Sequence, residues 1–179
     1  MTESPDHTNR GLERTDVPTE RDALRSYFDE EDFRIFSALK EDGRMSDTEL
    51  AERVGLSRTA VRRRRENLLN EGVLEILAVV VLQEANFSYG TVLVRLEPSV
   101  NGEQLDAIVE LINSSDLVYT FDMVMGEYDL MMHIWHESFP ELKTYLWELL
   151  DEIGVVDDFQ FIPIAKTWKA WNKELDSSR

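Results

Sequence analysis

Between Ser46 and Gly72 the sequence sets two short amphipathic helices around a three-residue break, a spacing that few folds accommodate. Ser46-Asp47-Thr48-Glu49 is a capping box, in which a Ser hydroxyl and a Glu carboxylate satisfy orphan amides reciprocally at a helix N-terminus. Leu50 and Val54 follow one turn apart, and Gly55 breaks the helix. Ser57 caps the next helix, which the pattern carries to about Asn70, with Ala60, Val61, Leu68 and Leu69 inward and Gly72 as its stop. Upstream, Phe33, Phe36 and Leu39, with Ile35 adjacent, predict a helix over Asp32–Lys40 that ends at Gly43. Helix, short turn with Gly, helix is the spacing of a helix-turn-helix. It crosses its two helices steeply and projects the polar N-terminal face of the second away from the core.

That projecting face is basic. Residues 58–65 read RTAVRRRR, five Arg in eight residues and no acid. A protruding helix with several Arg fits the major groove of double-stranded DNA, where Arg binds guanine O6 and N7 bidentately. The candidate DNA contacts are Ser46, Ser57, Arg58, Thr59, Arg62, Arg63 and Arg65, with Arg64 and Arg65 serving phosphates or pairing on the core side. The bland alternative is a solvated face with Glu66 and Glu71 as ion partners. Four consecutive Arg cover more than one helix face, so some of them are structural.

Net charge sharpens the contrast. The chain carries 19 basic and 36 acidic residues, −17 overall, which taken alone argues against a polyanionic partner. Yet residues 29–72 hold 9 basic against 11 acidic residues, whereas residues 73–179 hold 6 against 19. With only 5 Lys beside 14 Arg and acids on every exposed face, the balance resembles that of proteins from salt-accumulating halophiles. The absence of Cys excludes disulfides, thiolate metal sites and Cys nucleophiles. No apolar run is long enough to span a membrane, and the N-terminal residues carry no secretory signal, so the expectation is a soluble cytoplasmic protein with no membrane partner.

Beyond Gly72 the texture changes. Val73–Leu82, nearly all apolar and β-branched, predicts a linker strand. Then come a strand over Thr91–Leu96, a helix over Gly102–Asn113, strands over Leu117–Met125 and Leu130–Trp135, a helix from a second Ser-x-x-Glu box at Ser138 to Ile153, and a strand over Phe159–Ile164. The order βαββαβ is the split, ferredoxin-like pattern, so the fold class is α+β with an N-terminal helix-turn-helix of winged-helix-like type. The plan is a polar N-terminal extension (residues 1–27), the helix-turn-helix (28–74), a linker strand and hinge (75–89), the ferredoxin-like domain (90–166) and a C-terminal tail (167–179). Two helices cover one face of a four-stranded sheet, yet Leu93, Met131 and Trp135 place apolar side chains on the other. A second chain is the natural cover, which makes a homodimer the expectation.

The segment from Phe28 to Leu74 resembles the DNA-binding domain of the Lrp/AsnC (feast/famine) transcription regulators. The matching pieces are Asp32, Asp42-Gly43-Arg44, Glu49-Leu50-Ala51, Val54-Gly55-Leu56-Ser57, Leu68 and Gly72. The second half is similar to that family's effector domain, and Gly126-Glu127-Tyr128-Asp129 matches its Gly-x-Tyr-Asp loop. The resemblance covers residues 28–166 and implies transcription regulation, dimers that assemble into tetramers or octamers, and a small effector, an amino acid or related metabolite, bound between subunits. Gly126, Glu127, Tyr128 and Asp129 are the implied effector loop, with Asp158 and Gln160 where many members carry two Thr. Read without the family, the loop is a hairpin turn. The chain also departs from the family after the recognition helix, with Glu75-Ile76-Leu77 where Gly-Tyr is common.

Other readings weigh less. Sirohaem decarboxylases share the architecture, but His133, His136, Arg95 and Arg179 are the only His and Arg of residues 73–179, poor equipment for a tetrapyrrole with many carboxylates. A sensor acting without DNA contact leaves the Arg helix unexplained. No cofactor is called for, and no catalytic residue. His133 and His136, three apart on a strand, face opposite sides and make no metal site. Trp168 and Trp171 are expected to pack on a partner or on the sheet, beside Lys166, Lys169 and Lys173, the one basic cluster outside the Arg helix.

Overall fold

A computed structural model describes residues 19–171 and 173–175. Most of the expected N-terminal extension therefore lies outside the described residues, as does the end of the tail. The chain divides into two compact units, residues 1–78 and 79–179.

In the first unit, α1 (Glu20–Leu24), α2 (Glu30–Glu41), α3 (Asp47–Val54) and α4 (Arg58–Asn70) follow one another. The Ser46 box forms as the sequence requires, and Gly55 closes α3 at φ 72°, a left-handed conformation that glycine adopts without strain. The core gathers Phe28, Ile35, Leu39, Leu50, Val54, Val61, Leu68 and Leu74. Ile35, fully buried, is the centre of the α2 face; Phe33 and Phe36 flank it half-exposed.

In the second unit, β1 (Ser88–Leu96), α5 (Gly102–Asn113), β2 (Val118–Met123), β3 (Leu130–His136), α6 (Phe139–Ile153) and β4 (Val156–Pro163) give the βαββαβ order. The sheet runs β2-β3-β1-β4, antiparallel throughout. Val92, Val94, Leu130, Met132 and Ile134 bury the helix-covered face against Ile108, Ile112, Leu142, Leu146 and Leu149. Leu93, opposite Met131 and Gln160, lies on the uncovered face. At α6 only half of the expected box forms. Ser138 accepts from the Glu141 amide, but the Glu141 carboxylate does not return the bond, and Pro140 occupies the first turn. After β4 a small hairpin joins β5 (Lys169–Ala170) to β6 (Lys173–Glu174).

The expected linker strand is not formed. Residues 73–81 have no regular structure, residues 82–86 are turns, and β structure starts only at Ser88. A strand needs a ladder partner, and no described strand lies along this one. Val73, Ile76, Leu77, Val79 and Val80 are left exposed, Leu77 at 74%.

Candidate functional site

The Arg helix is built from its N-cap outward. Ser57 accepts from the Ala60 amide at 3.2 Å, and no acid occupies the first turn of α4. The amides there and the helix dipole offer positive potential. Val61 and Leu68 fix the inward stripe of α4. Arg64 lies three residues and Arg65 four residues beyond Val61, so both turn toward the core side, while Arg62 and Arg63 turn out.

The consequences are distinct for each Arg. Arg64 Nη1 donates to Asp29 Oδ2 and Asp32 Oδ1, each at 2.8 Å, and its other terminal nitrogen pairs with Glu31. Partial burial works against the Arg64 charge, yet the bonds to Asp32 and Asp29 win and hold its pKa above the ordinary guanidinium value. Arg65 donates to the Met45 carbonyl and to Asp47 Oδ1, both at 3.2 Å, which ties α4 to the start of α3. Arg62 is exposed and holds Glu66 at 2.8 Å one turn on, which raises its pKa. Arg58 and Arg63 are exposed and have no ion pair among the described residues. Thr59 is exposed beside them. Ser46 is committed locally: its hydroxyl donates to Glu49 Oε2 at 2.7 Å and accepts from the Glu49 amide. Hydrogen bonds from the Ser46 amide and hydroxyl in turn hold the Glu49 carboxyl below the ordinary carboxylate value.

The loop from Val124 to Asp129 sits at one end of the sheet. Gly126 has φ 145°, a conformation that glycine adopts most readily. The Asp129 carboxylate accepts from the Leu96 amide at 2.8 Å, and the Asp129 amide donates to the Val94 carbonyl at 2.9 Å. Asp129 thus staples the loop to β1. Arg95, from the same strand end, donates to Asp157 at 2.8 Å and to Asp158 at 3.1 Å and lies 3.7 Å from Glu127. The bond to Asp157 is the main reason its pKa is raised. Glu127 and Asp158 are therefore brought together through Arg95. Gln160 lies two residues on from Asp158, opposite Leu93 on the open face, and Tyr128 is half-buried in the loop.

Comparison with known proteins fits this geometry. An AsnC-type helix-turn-helix domain matches residues 28–69. A HTH-type transcriptional regulator of Pyrococcus horikoshii is 31% identical over 138 residues, covering 77% of this chain and 87% of its own. The chain belongs to the Lrp/AsnC family of transcription regulators. The HTH-type transcriptional regulator LysM of Saccharolobus solfataricus is 25% identical across 78% of this chain and 95% of its own. Among solved structures, the regulator NMB0573 from Neisseria meningitidis, in complex with L-Met, superposes with a TM-score of 0.72 at 21% identity over 84% of this chain and 97% of its own. An AsnC family regulator from Agrobacterium tumefaciens gives 0.71 at 21% identity over 80% and 94%. Its relatives are regulators with a DNA-binding helix-turn-helix, not enzymes.

One residue of this Lrp/AsnC chain escapes sequence reading: the central place of Arg95 in the loop cluster depends on the pairing of β1 with β4. For Arg64 the sequence leaves phosphate contact and core-side pairing both open, and the structure pairs it with Asp29, Glu31 and Asp32. Among the described residues no helix is long and apolar enough to cross a membrane, and no three His, Asp or Glu side chains converge on a metal position.

Proposed function

We propose that this regulator binds DNA sequence-specifically through the outward side of α4, with Ser57, Arg58, Thr59, Arg62 and Arg63 at base edges and phosphates. The observation that carries the reading is the division of labour within the Arg run. Arg64 and Arg65 are held by acids and a carbonyl, whereas Arg58 and Arg63 are exposed with no ion pair among the described residues. Arg62 exchanges Glu66 for DNA, and Ser46 and Arg65 support the helix rather than read bases. The functional unit is a homodimer closed over the open sheet face, where Leu93, Met131 and Trp135 lack a covering helix. Tetramers or octamers follow from the family. Two α4 helices then enter successive major grooves about one turn apart.

A small effector, an amino acid or related metabolite, binds beside Gly126–Asp129 at an intersubunit site. The relative solved with L-Met supports the ligand class. The Asp129 carboxylate is taken by the Leu96 amide, so Glu127, Arg95, Asp158 and Gln160 are the side chains that face the effector. The effector shifts assembly or helix spacing by its differential affinity for the two arrangements. The acid excess fits a cytoplasm rich in salt, where phosphate contacts contribute little and base contacts carry more of the affinity.

The test is a DNA titration on genomic fragments from about 0.1 to 3 M KCl, with wild type and Arg62→Ala/Arg63→Ala. Selective, saturable binding that is lost in the variant is expected. Selective binding that survives the double substitution overturns the assignment of α4.

A further inference from the structure

The second unit carries a strong negative excess, yet residues 165–173 read AKTWKAWNK and contain no acid. Three of the chain's five Lys and two of its four Trp fall in this stretch. The indoles are largely exposed, Trp168 at 71% and Trp171 at 53%. The segment is nonetheless held in place. The Ile164 amide donates to the Tyr89 carbonyl at 3.0 Å, the Thr167 amide to Gln83 Oε1 at 3.0 Å, and the Thr167 hydroxyl lies 2.9 Å from the Tyr89 hydroxyl. The Leu175 amide then closes the hairpin on the Trp168 carbonyl at 3.0 Å.

Anchoring at Thr167 leaves its neighbours displayed. Lys166 Nζ sits 3.9 Å from the centroid of the Trp168 ring, and Lys169 and Lys173 are exposed on the two hairpin strands. None of the three ammoniums has an ion pair among the described residues. Lys166 has only the ring face of Trp168 as a contact for its charge, a weak attraction at an exposed site.

We infer that this C-terminal hairpin is a second DNA contact, in which Lys166, Lys169 and Lys173 neutralise backbone phosphates and the Trp168 and Trp171 indoles lie against the sugar–phosphate surface. Three ammoniums with no ion pair among the described residues, against one facing acid, Glu174 opposite Lys169, and interleaved with exposed aromatic rings, form the electrostatic footprint of nucleic-acid binding. Lys is a mobile point charge suited to phosphate without base specificity. A protein partner fits less well. Two indoles are a small part of the roughly 800 Å² per partner that a stable protein interface buries. The contact adds affinity and leaves sequence choice to α4, so it rests on the reading of α4 as the DNA-reading helix.

The experiment compares the full-length protein with Lys166→Gln/Lys169→Gln/Lys173→Gln and, separately, Trp168→Leu/Trp171→Leu. Binding to a selected duplex is followed by fluorescence anisotropy as KCl is raised. Each lost phosphate contact makes the slope of log K against log salt shallower by about 0.9, so the triple variant is expected to lose between two and three units of slope with its fragment preference unchanged. The Trp variant loses affinity with little change of slope. An unchanged slope in a triple variant that keeps its circular dichroism overturns the inference and leaves α4 as the reader. A triple variant that changes sedimentation while its DNA slope stays constant also overturns it, and assigns the hairpin to a protein contact. Wild type that binds no duplex removes both readings together.

Discussion

Replacing Arg64 by Ala separates what the Arg run does for the fold from what it does for DNA. Arg64 is 22% exposed and meets Asp32 at 17%, whereas Asp29 is 53% exposed. Ion pairs to exposed carboxylates are worth about 0–1 kcal/mol, so Asp29 and Glu31 contribute modestly. The bond to Asp32 is shielded on both sides, and hydrogen bonds to charged groups of that kind are worth about 1.5–3 kcal/mol. Loss of Arg64 also leaves Asp32 half-buried without its counter-ion. The expected destabilisation of the first unit is roughly 2–3 kcal/mol, a large share of the ~5–15 kcal/mol typical of a domain. For a unit of this size it lowers the midpoint of thermal unfolding by roughly 10–20 °C. Helical circular dichroism of the full chain is the assay, with Asp32→Asn and the double variant completing a cycle. A coupling above about 1 kcal/mol is expected between the two side chains. Arg63→Ala, by contrast, moves stability by less than about 0.5 kcal/mol. Arg64→Ala within that margin of wild type, or a cycle with no coupling, refutes the division of labour.

Two further substitutions follow from local geometry. A methyl at Gly90 meets the Ile162 carbonyl oxygen at 2.7 Å and the Phe161 ring at 2.5 Å, so Gly90→Ala is expected to destabilise the sheet by about 2–3 kcal/mol in urea unfolding. The Glu49 carboxyl titrates below its ordinary value, so its stabilisation is present above the unfolded pKa of about 4.3 and is lost as pH falls through the folded value. Glu49→Gln is expected to flatten part of the drop in the first unit's melting temperature between about pH 5 and pH 3; an unchanged acid limb contradicts it.

Much of this architecture was legible because its causes are local. The Ser46 box, the glycine stop at Gly55 and the apolar period of α5 depend on residues a few positions apart, and they appear where the sequence put them. At Ser138 the same Ser-x-x-Glu spelling gave half the bond pattern, because spacing does not fix the Glu141 rotamer. The linker was misread for a different reason. Val73–Leu82 has the composition of a strand, but a ladder needs a partner, and no strand among the described residues lies along it. The loop cluster depends on strand pairing distant in sequence, so Arg95 gave no signal until β1 met β4. Arg62 and Arg63, the expected base contacts, are exposed on α4, whereas Arg65 is drawn inward by Met45 and Asp47.

The most direct test of the central claim is a hydroxyl-radical footprint of the wild-type protein on a fragment it selects, repeated with Arg62→Ala/Arg63→Ala. The account predicts paired protections related by a two-fold axis with centres about one helical turn apart, both absent in the variant at the same concentration. Protection that is uniform along the fragment, or that the double substitution leaves intact, contradicts it.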